Sequence, residues 1–446
     1  MKKITLFILL CFFSVKSNAQ CWKSLSAGQS TTVGVKTDGT LWSFGGILGI
    51  GGNYLTPTQI GTANNWESVS MGNIFCLAIK TDGTLWGFGI AAEGQFGNGI
   101  LVNGFPVSTQ FGVQIGTQNN WKKVFCSSYA SFAIKTNGTL WSTGNDYNEI
   151  LGNGLANGNQ TTFTQVGTDT NWASISCNSN SAFVLALKTN GERWAWGDNS
   201  LASLGDGSVS NKYVPTHAGT DTWKSVSNTS GAIGFGIKTN GTLWNWGGSG
   251  NTSLTQLGNA NNWETITCGV FFQVATKTNG DLLTWGNNNF GQLGDGTNNA
   301  AGTPVLITNN TWQIVAAGAN HTIVQNASGT YSWGKNDSGQ IGDGTIVNKF
   351  VPTLISCPVL ASESFNINNK INIYPNPNNG NFFIKTNETD AVNEIKIYNM
   401  QGKLLFTKNT ITNNEEIQTS GFAQGIYIVN LEMENGFIIN QKMVVE

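Results

Sequence analysis

The chain has 446 residues, of which 11% are charged, with 56 Gly, 16 Trp and 23 basic against 25 acidic residues, a net charge of −2. So few Lys and Arg, none of them clustered, exclude a nucleic-acid surface held by phosphate contacts, and only 2 His leave little for metal or acid–base chemistry. A surface built from Asn, Thr, Ser and Gly also excludes a mainly helical chain, whose exposed positions want Ala, Glu, Lys and Arg; an all-β chain with tight turns is predicted.

Met1-Lys2-Lys3, the apolar run from Ile4 to Val15 and Ser17-Asn18-Ala19 form the charged start, apolar core and small-residue cleavage site of a secretory signal peptide. Residues 1–19 are assigned to it, with cleavage after Ala19. A lipoprotein signal acylating Cys21 would want Gly or Ala where Gln20 stands. The apolar run is too short to span a bilayer, so no transmembrane segment is expected after cleavage. The mature chain therefore meets an oxidising compartment.

From Trp22 onward one pattern recurs: Trp-x-x-Val/Ile-Ser, a short apolar run, Lys-Thr-Asp/Asn-Gly, then Thr-Leu-Trp-x-Phe/Trp-Gly. The leading Trp recurs at Trp22, Trp66, Trp121, Trp172, Trp223, Trp263 and Trp312, and the turn Gly at Gly39, Gly83, Gly138, Gly191, Gly241, Gly280 and Gly329. Asp-Gly or Asn-Gly between apolar runs is a hairpin signal, read as a type I′ turn. The aromatics at i and i+2 after it, such as Trp42 and Phe44, share one face of a strand and are expected to pack neighbouring sheets. A Gly-rich loop follows, clearest at Gly291-Gln292-Leu293-Gly294-Asp295-Gly296. Four short strands per unit, repeated seven times, predict a seven-bladed β-propeller over residues 20–357.

These repeats resemble those of the regulator of chromosome condensation family. That family includes a nuclear guanine-nucleotide exchange factor and a secreted bacterial inhibitor of β-lactamases, so the resemblance implies the fold and no single activity. Export separates this chain from any cytosolic GTPase, and no basic tail is present to bind chromatin. Of the His that family repeats often carry after the first strand, only His321 remains.

Cys126, Cys177 and Cys268 occupy equivalent positions in different units and, with Cys76, are expected to be buried free thiols. Cys21 precedes the first leading Trp, and Cys357 follows the last Pro-x-x-Ile. Between other units a covalent linker, as at Gly61 to Asn65, joins the corresponding points. Laid on that linker, the two Cys stand at most about 10 Å apart, and a disulfide closing the ring is expected.

After a linker at residues 358–369, residues 370–446 show alternating runs, among them Glu394 to Tyr398 and Gly425 to Leu431, which predict a small β-sandwich of immunoglobulin-like size. Tyr374-Pro375-Asn376-Pro377-x-x-Gly380, the turn ending at Gly402, the Gly425-Ile426-Tyr427 strand and the closing strand from Lys442 resemble the type A sorting domain of type IX secretion. The resemblance implies passage by the signal peptide to the periplasm, engagement of the type IX translocon by this domain, and a final place on the cell surface or in the medium.

No catalytic, metal or cofactor constellation stands out. His217 and His321 lack an identifiable Ser or Cys partner, and Asp206, Asp295 and Asp343 in Gly-Asp-Gly loops lack the alternating ligands of a calcium loop. The expected function is a non-catalytic module binding an extracellular protein or glycan through variable loops, with Phe96, Phe105, Phe111, Tyr147 and Phe163 as exposed anchors. The alternatives are a secreted propeller hydrolase or lyase, which needs carboxylates clustered at the propeller axis, and a passive structural or adhesive surface protein.

Overall fold

The structure, a computed structural model, describes residues 21–46, 53–100, 107–154, 158–178, 181–250, 252–357, 371–386, 392–399, 403–412, 414–419, 421–433 and 438–446. It divides into two compact units, residues 1–358 and 359–446. Among the described residues there is no α-helix, only a short 3₁₀ turn at Tyr147–Glu149, and no helix is long and apolar enough to cross a membrane.

The first unit is a seven-bladed β-propeller. In blade 1 the strands Trp22–Ala27, Thr31–Lys36, Leu41–Gly45 and Tyr54–Gln59 pair antiparallel in chain order from the axis outward. The leading Trp of each repeat opens the innermost strand. Blades 4 and 5 share one long strand, Lys212–Asn228, which is first the outer strand of blade 4 and from Trp223 the innermost strand of blade 5.

The repeat consensus is explained by one relay. In blade 3 the Asn137 carbonyl oxygen Oδ1 accepts the Thr139 N–H at 3.2 Å and the Thr139 hydroxyl at 2.8 Å. Thr139 Oγ1 in turn accepts the Trp141 indole N–H at 2.9 Å. The Lys135 ammonium lies 3.6 Å above the Trp141 ring and 4.7 Å from that of Trp121. The same set holds Trp86 and Trp244. Lys-Thr-Asn-Gly-Thr-Leu-Trp is therefore a packing motif in which a cation sits between two aromatic faces.

The turn is not type I′. In blade 1 the Gly39 N–H bonds the Lys36 carbonyl and the Lys36 N–H bonds the Thr40 carbonyl, both at 2.9 Å. Gly39 has φ +81°, whereas Asp38 is not in the left-handed region. This is a three-residue connection with Gly in the left-handed position. A Cβ at Gly39 would also lie 2.0 Å from the Asn64 carbonyl of the linker to blade 2, so two independent constraints select Gly there.

Neighbouring blades are joined at three levels. Near the axis the Ser of Trp-x-x-Val/Ile-Ser accepts an N–H from the next blade, Met71 to Ser26 at 2.9 Å and Cys126 to Ser70 at 3.0 Å. Midway, the second aromatic donates its indole N–H to a loop carbonyl of the preceding blade, as Trp196 to Ile150 at 2.7 Å and Trp333 to Gln292 at 2.9 Å. At the rim the Gly-rich loop docks on the outer strand of the next blade, as Gly296 N–H to the Phe350 carbonyl at 2.8 Å.

Blades 7 and 1 share no strand, and their seam is closed by other means. Cys21 and Cys357 are disulfide-bonded with Cα atoms 5.9 Å apart. Across five of the other junctions the leading Trp N–H bonds the turn Gly of the preceding blade, as Trp66 to Gly39, and between blades 6 and 7 the Asn310 N–H bonds Gly280 instead. At the seam the Gln325 side chain replaces that bond, accepting the Trp22 N–H at 2.9 Å and donating to the Trp22 carbonyl at 3.0 Å. The Gly344 N–H reaches the Leu55 carbonyl at 2.8 Å, and Ala319 N–H the Gly28 carbonyl at 2.9 Å.

His321 completes the seam. Its Nε2 lies 2.9 Å from Thr32 Oγ1, whose proton goes to the Gln340 carbonyl at 3.0 Å, so Nε2 carries the hydrogen and the buried Nδ1 is bare. Burial pulls its pKa down to about 4. Above the ordinary value near 6.5 both folded and unfolded chains hold a neutral ring; as pH falls from there toward 4, only the unfolded chain gains the proton. The His321 contribution to stability should therefore fall by about 3 kcal/mol across that window. Urea unfolding of the wild type and His321→Gln at several pH values should show this loss as a change with pH in the difference between the two, because the other titrating groups, Asp146 among them, are common to both.

The second unit is a two-sheet β-sandwich. One sheet has strands Ile371–Tyr374, Asn381–Thr386 and Glu415–Gln418; the other runs Leu404–Ile411, Val392–Asn399, Gly425–Met433 and Ile438–Val445. Phe382, Ile384, Ile395, Ile397, Val429, Leu431 and Met443 meet in its core.

Candidate binding face

In each antiparallel blade the turn after the first strand and the loop after the third lie at the same end of the propeller. The tips of the first turns are Ser30, Ile74, Tyr129, Ala182, Ala232, Phe271 and Asn320. Six of their carbonyls accept an N–H from the end of the third strand or just beyond it, as Asn145 to Tyr129 and Asn287 to Phe271. With the backbone anchored so, the side chains stand in solvent: Ile74 is 43%, Tyr129 50% and Phe271 57% exposed.

The third-strand loop of blade 3 adds Tyr147, 73% exposed. It is followed by two non-Gly residues in the left-handed region, Asn148 at φ 59° and Glu149 at φ 56°, a strained turn of the kind that clusters at functional sites. Beneath it Asp146 accepts the Leu151 N–H at 2.9 Å, and burial pushes its carboxyl up to about 6. Beside it the Glu93 carboxylate of blade 2 accepts the amides of Asn145 at 3.2 Å and Asn159 at 2.7 Å. Ile74, Tyr129, Tyr147, Glu93 and these amides thus fall on adjacent blades at one end.

Of the five anchors expected from sequence, Tyr147 is on this face. Phe96 is corrected: it is 2% exposed and stands edge-on to Phe75 at 6.2 Å. The reason is that Gly94-Gln95-Phe96-Gly97-Asn98-Gly99 is the Gly-Gln-Leu-Gly-Asp-Gly loop in another spelling, and Phe96 fills the inter-blade place of Leu293 and Ile341, both buried. Phe163 is also packing, half-buried with its ring 5.1 Å from Trp121. Phe111 lies on the outer strand Val107–Gln114 of blade 2, and Phe105 lies outside the described residues. Sequence reading missed Tyr129 and Phe271; their signal was the variation Ser, Ile, Tyr, Ala, Ala, Phe, Asn at one repeat position.

The axis holds a cavity of about 180 Å³ lined by Ser26, Ser70, Met71, Cys126, Ser176, Cys177, Asn178 and Cys268 among others, with no carboxylate or His among the described lining residues. The Asn178 amide crosses it, donating to the carbonyls of Asn228, Cys268 and Gly269 at 3.1, 2.8 and 3.0 Å. Burial pushes the thiols of Cys126 and Cys268 up to about 12, and those of Cys76 and Cys177 upward too, so they are held as inert thiols. His217 stands edge-on to Trp194 at 5.4 Å.

The Gly-Asp-Gly carboxylates are occupied by donors. Asp343 accepts the Asn336 amide at 3.2 Å, the Thr345 N–H at 3.1 Å and hydroxyl at 2.8 Å, and pairs with Lys349 at 2.6 Å; Asp206 does the same with Asn199, Ser208 and Lys212. Among the described residues no group of three or more His, Cys, Asp or Glu is placed to hold a metal.

In the sandwich the signature residues are largely bound within the module. Asn376 donates to the Lys442 carbonyl at 2.7 Å and accepts the Val444 N–H at 2.8 Å; the peptide bonds before Pro375 and Pro377 are cis. Tyr374 donates its hydroxyl to Asn414 at 2.9 Å. Gly380, at φ +101°, takes the Asn378 side chain on its N–H and Thr419 on its carbonyl. Tyr427 is buried with its hydroxyl on the Ala423 carbonyl at 2.6 Å, Gly425 opens the same strand, Lys442 is exposed, and Gly402 lies outside the described residues.

Comparison with known proteins agrees with both units. Residues 279–325 and 329–363 match the regulator of chromosome condensation (RCC1) repeat, and residues 372–446 match the secretion system C-terminal sorting domain. The crystal structure of yeast RCC1 bound to Kap60 is 19% identical, with a TM-score of 0.61 over 78% of this chain and 87% of that one. Prp20p from Saccharomyces cerevisiae, in a second crystal structure, gives 0.59 at 18% identity over 79% and 90%. Among curated proteins, the human E3 ubiquitin-protein ligase HERC2 is 26% identical over 173 residues, 34% of this chain and 4% of its own length. Beta-agarase A of Zobellia galactanivorans is 30% identical over 69 residues, 16% of this chain and 13% of its own length. The chain thus spans a small part of the curated relatives it matches. It is an RCC1-repeat β-propeller joined to a C-terminal sorting domain. Its sorting domain makes it a protein delivered to the cell surface or the medium by type IX secretion.

Proposed function

We propose that the propeller is a non-catalytic binding module for an extracellular protein or glycan, and that the end carrying the first-turn tips and third-strand loops is its binding face. Residues 1–19 act as the signal peptide, and residues 358–369 as the linker to the sorting module. The observation that carries this reading is that equivalent, backbone-anchored hairpin tips hold Ile74, Tyr129 and Phe271 in solvent, joined by Tyr147 on a strained turn. Aromatics so placed are the residues that dominate interface energies. The neutral axial lining supports it against a hydrolase, which needs convergent carboxylates there.

Tyr129→Ala/Tyr147→Ala/Phe271→Ala is the test, in pull-downs with mature protein against surface proteins and glycan arrays. Captured partners should be lost by about thirtyfold or more, the effect of removing ~2 kcal/mol of contact energy, with the melting temperature unchanged. Capture equal to the wild type would refute the assignment of the face.

A further inference from the structure

We infer that the translocon reads the sorting module through an apolar patch on the outer face of its four-stranded sheet, by face-to-face docking against a partner surface that is apolar and carries a carboxylate opposite Lys442. The inference rests on the reading of this module as a sorting domain. The strand register puts the patch together: Tyr398 pairs with Leu404 on one side and Ile428 on the other, Ile428 pairs with Lys442, and Ile426 with Val444. The inward alternates Ile397, Tyr427, Val429 and Met443 are buried in the core, whereas Leu404, Ile426 and Ile428 are exposed. An adjoining cavity of about 570 Å³ takes in Leu405, Phe422 and Ile426.

The same face changes character one row further along. There Lys396 and Thr407 both donate to the Glu394 carboxylate, at 2.5 and 3.1 Å, so the apolar surface is confined to one end. Exposed apolar residues gathered in this way mark an interaction surface.

Two observations choose the mode and the partner. Strand addition at the last strand is blocked where the patch reaches it, because Asn376 holds the Lys442 carbonyl and Val444 N–H, and the Asn378 N–H holds the Val444 carbonyl at 2.9 Å. At the strand that carries Lys442, docking is thereby left to the face. Of the signature side chains described, Lys442 alone combines a charge with exposure, and it stands in the row of Tyr398 and Ile428. An apolar partner bearing an acid opposite this ammonium satisfies both.

The test is export of the full chain in a host with a type IX system, read as protease-accessible protein on intact cells against soluble protein in the periplasm. Leu404→Thr/Ile426→Thr/Ile428→Thr keeps strand-compatible side chains at solvent positions, and Lys442→Glu reverses the charge without touching the core. Each should cut surface delivery at least tenfold, with intact, trypsin-resistant protein accumulating in the periplasm, while Glu394→Gln/Lys396→Gln at the polar end exports as the wild type. Wild-type export of either patch variant, with deletion of residues 372–446 still blocking export, would overturn this inference alone. Normal export after that deletion would overturn the sorting reading itself.

Discussion

Replacing Cys21 and Cys357 together by Ser should lower propeller stability by roughly 2–5 kcal/mol. Six of the seven junctions between blades are covalent, and the seventh is covalent only through this bond, which spans 336 residues of sequence. What remains in the variant includes the Gln325–Trp22 pair, the Gly344–Leu55 and Ala319–Gly28 bonds and the His321–Thr32 contact. These need the two blades already together, so without the disulfide they must offset the entropy of closing a very long loop. All 16 Trp lie in the repeats, so urea unfolding followed by Trp fluorescence reads the propeller and not the sandwich. A loss below about 1 kcal/mol would mean that the seam holds by packing alone.

Arg193→Ala should cost about 3–5 kcal/mol, although the residue is far from the binding face. Arg193 stands where other blades have Leu41, Leu85, Leu140, Leu243 and Leu282, and it is fully buried. Its guanidinium donates to the carbonyls of Leu204, Gly205 and Ala218 at 2.8, 2.9 and 2.7 Å and stacks 4.3 Å over Trp246. Burial lowers its pKa to about 10, and Asp221 and Asp206 act against the shift, so the charge stays. Ala would leave three carbonyls unpaired and a cavity beneath Trp246. Leu, the residue of the repeat, fills the space but not the hydrogen bonds, and should cost less than half as much as Ala in the same urea assay. Equal losses for the two variants would show that the carbonyls, and not the volume, set the cost.

Much of the fold was legible because the repeat writes its packing in residue types that have few other uses: Lys between two Trp, Asp or Asn before Gly, Thr after it. The turn was misread in detail because Asp-Gly serves both two- and three-residue connections, and only the backbone tells them apart. Phe96 was misread because an aromatic in a long loop looks exposed until its loop is aligned with Gly-Gln-Leu-Gly-Asp-Gly. Tyr129 and Phe271 escaped notice for the opposite reason: they sit beside the apolar second strand and read as core, whereas the tip position turns them outward. Gln325 and Arg193 break the apolar pattern at a seam and at a blade junction. Their reason lies in carbonyls that sequence does not show.

Which end of the propeller binds is tested most directly by amide hydrogen exchange of the mature protein, free and with its captured partner. Binding at the proposed face predicts new protection in residues 72–75, 127–130, 145–149 and 269–272, with the Lys-Thr-Asp/Asn-Gly turns at the other end unchanged. Protection confined to those turns, around Gly39, Gly83, Gly138 and Gly241, would contradict it.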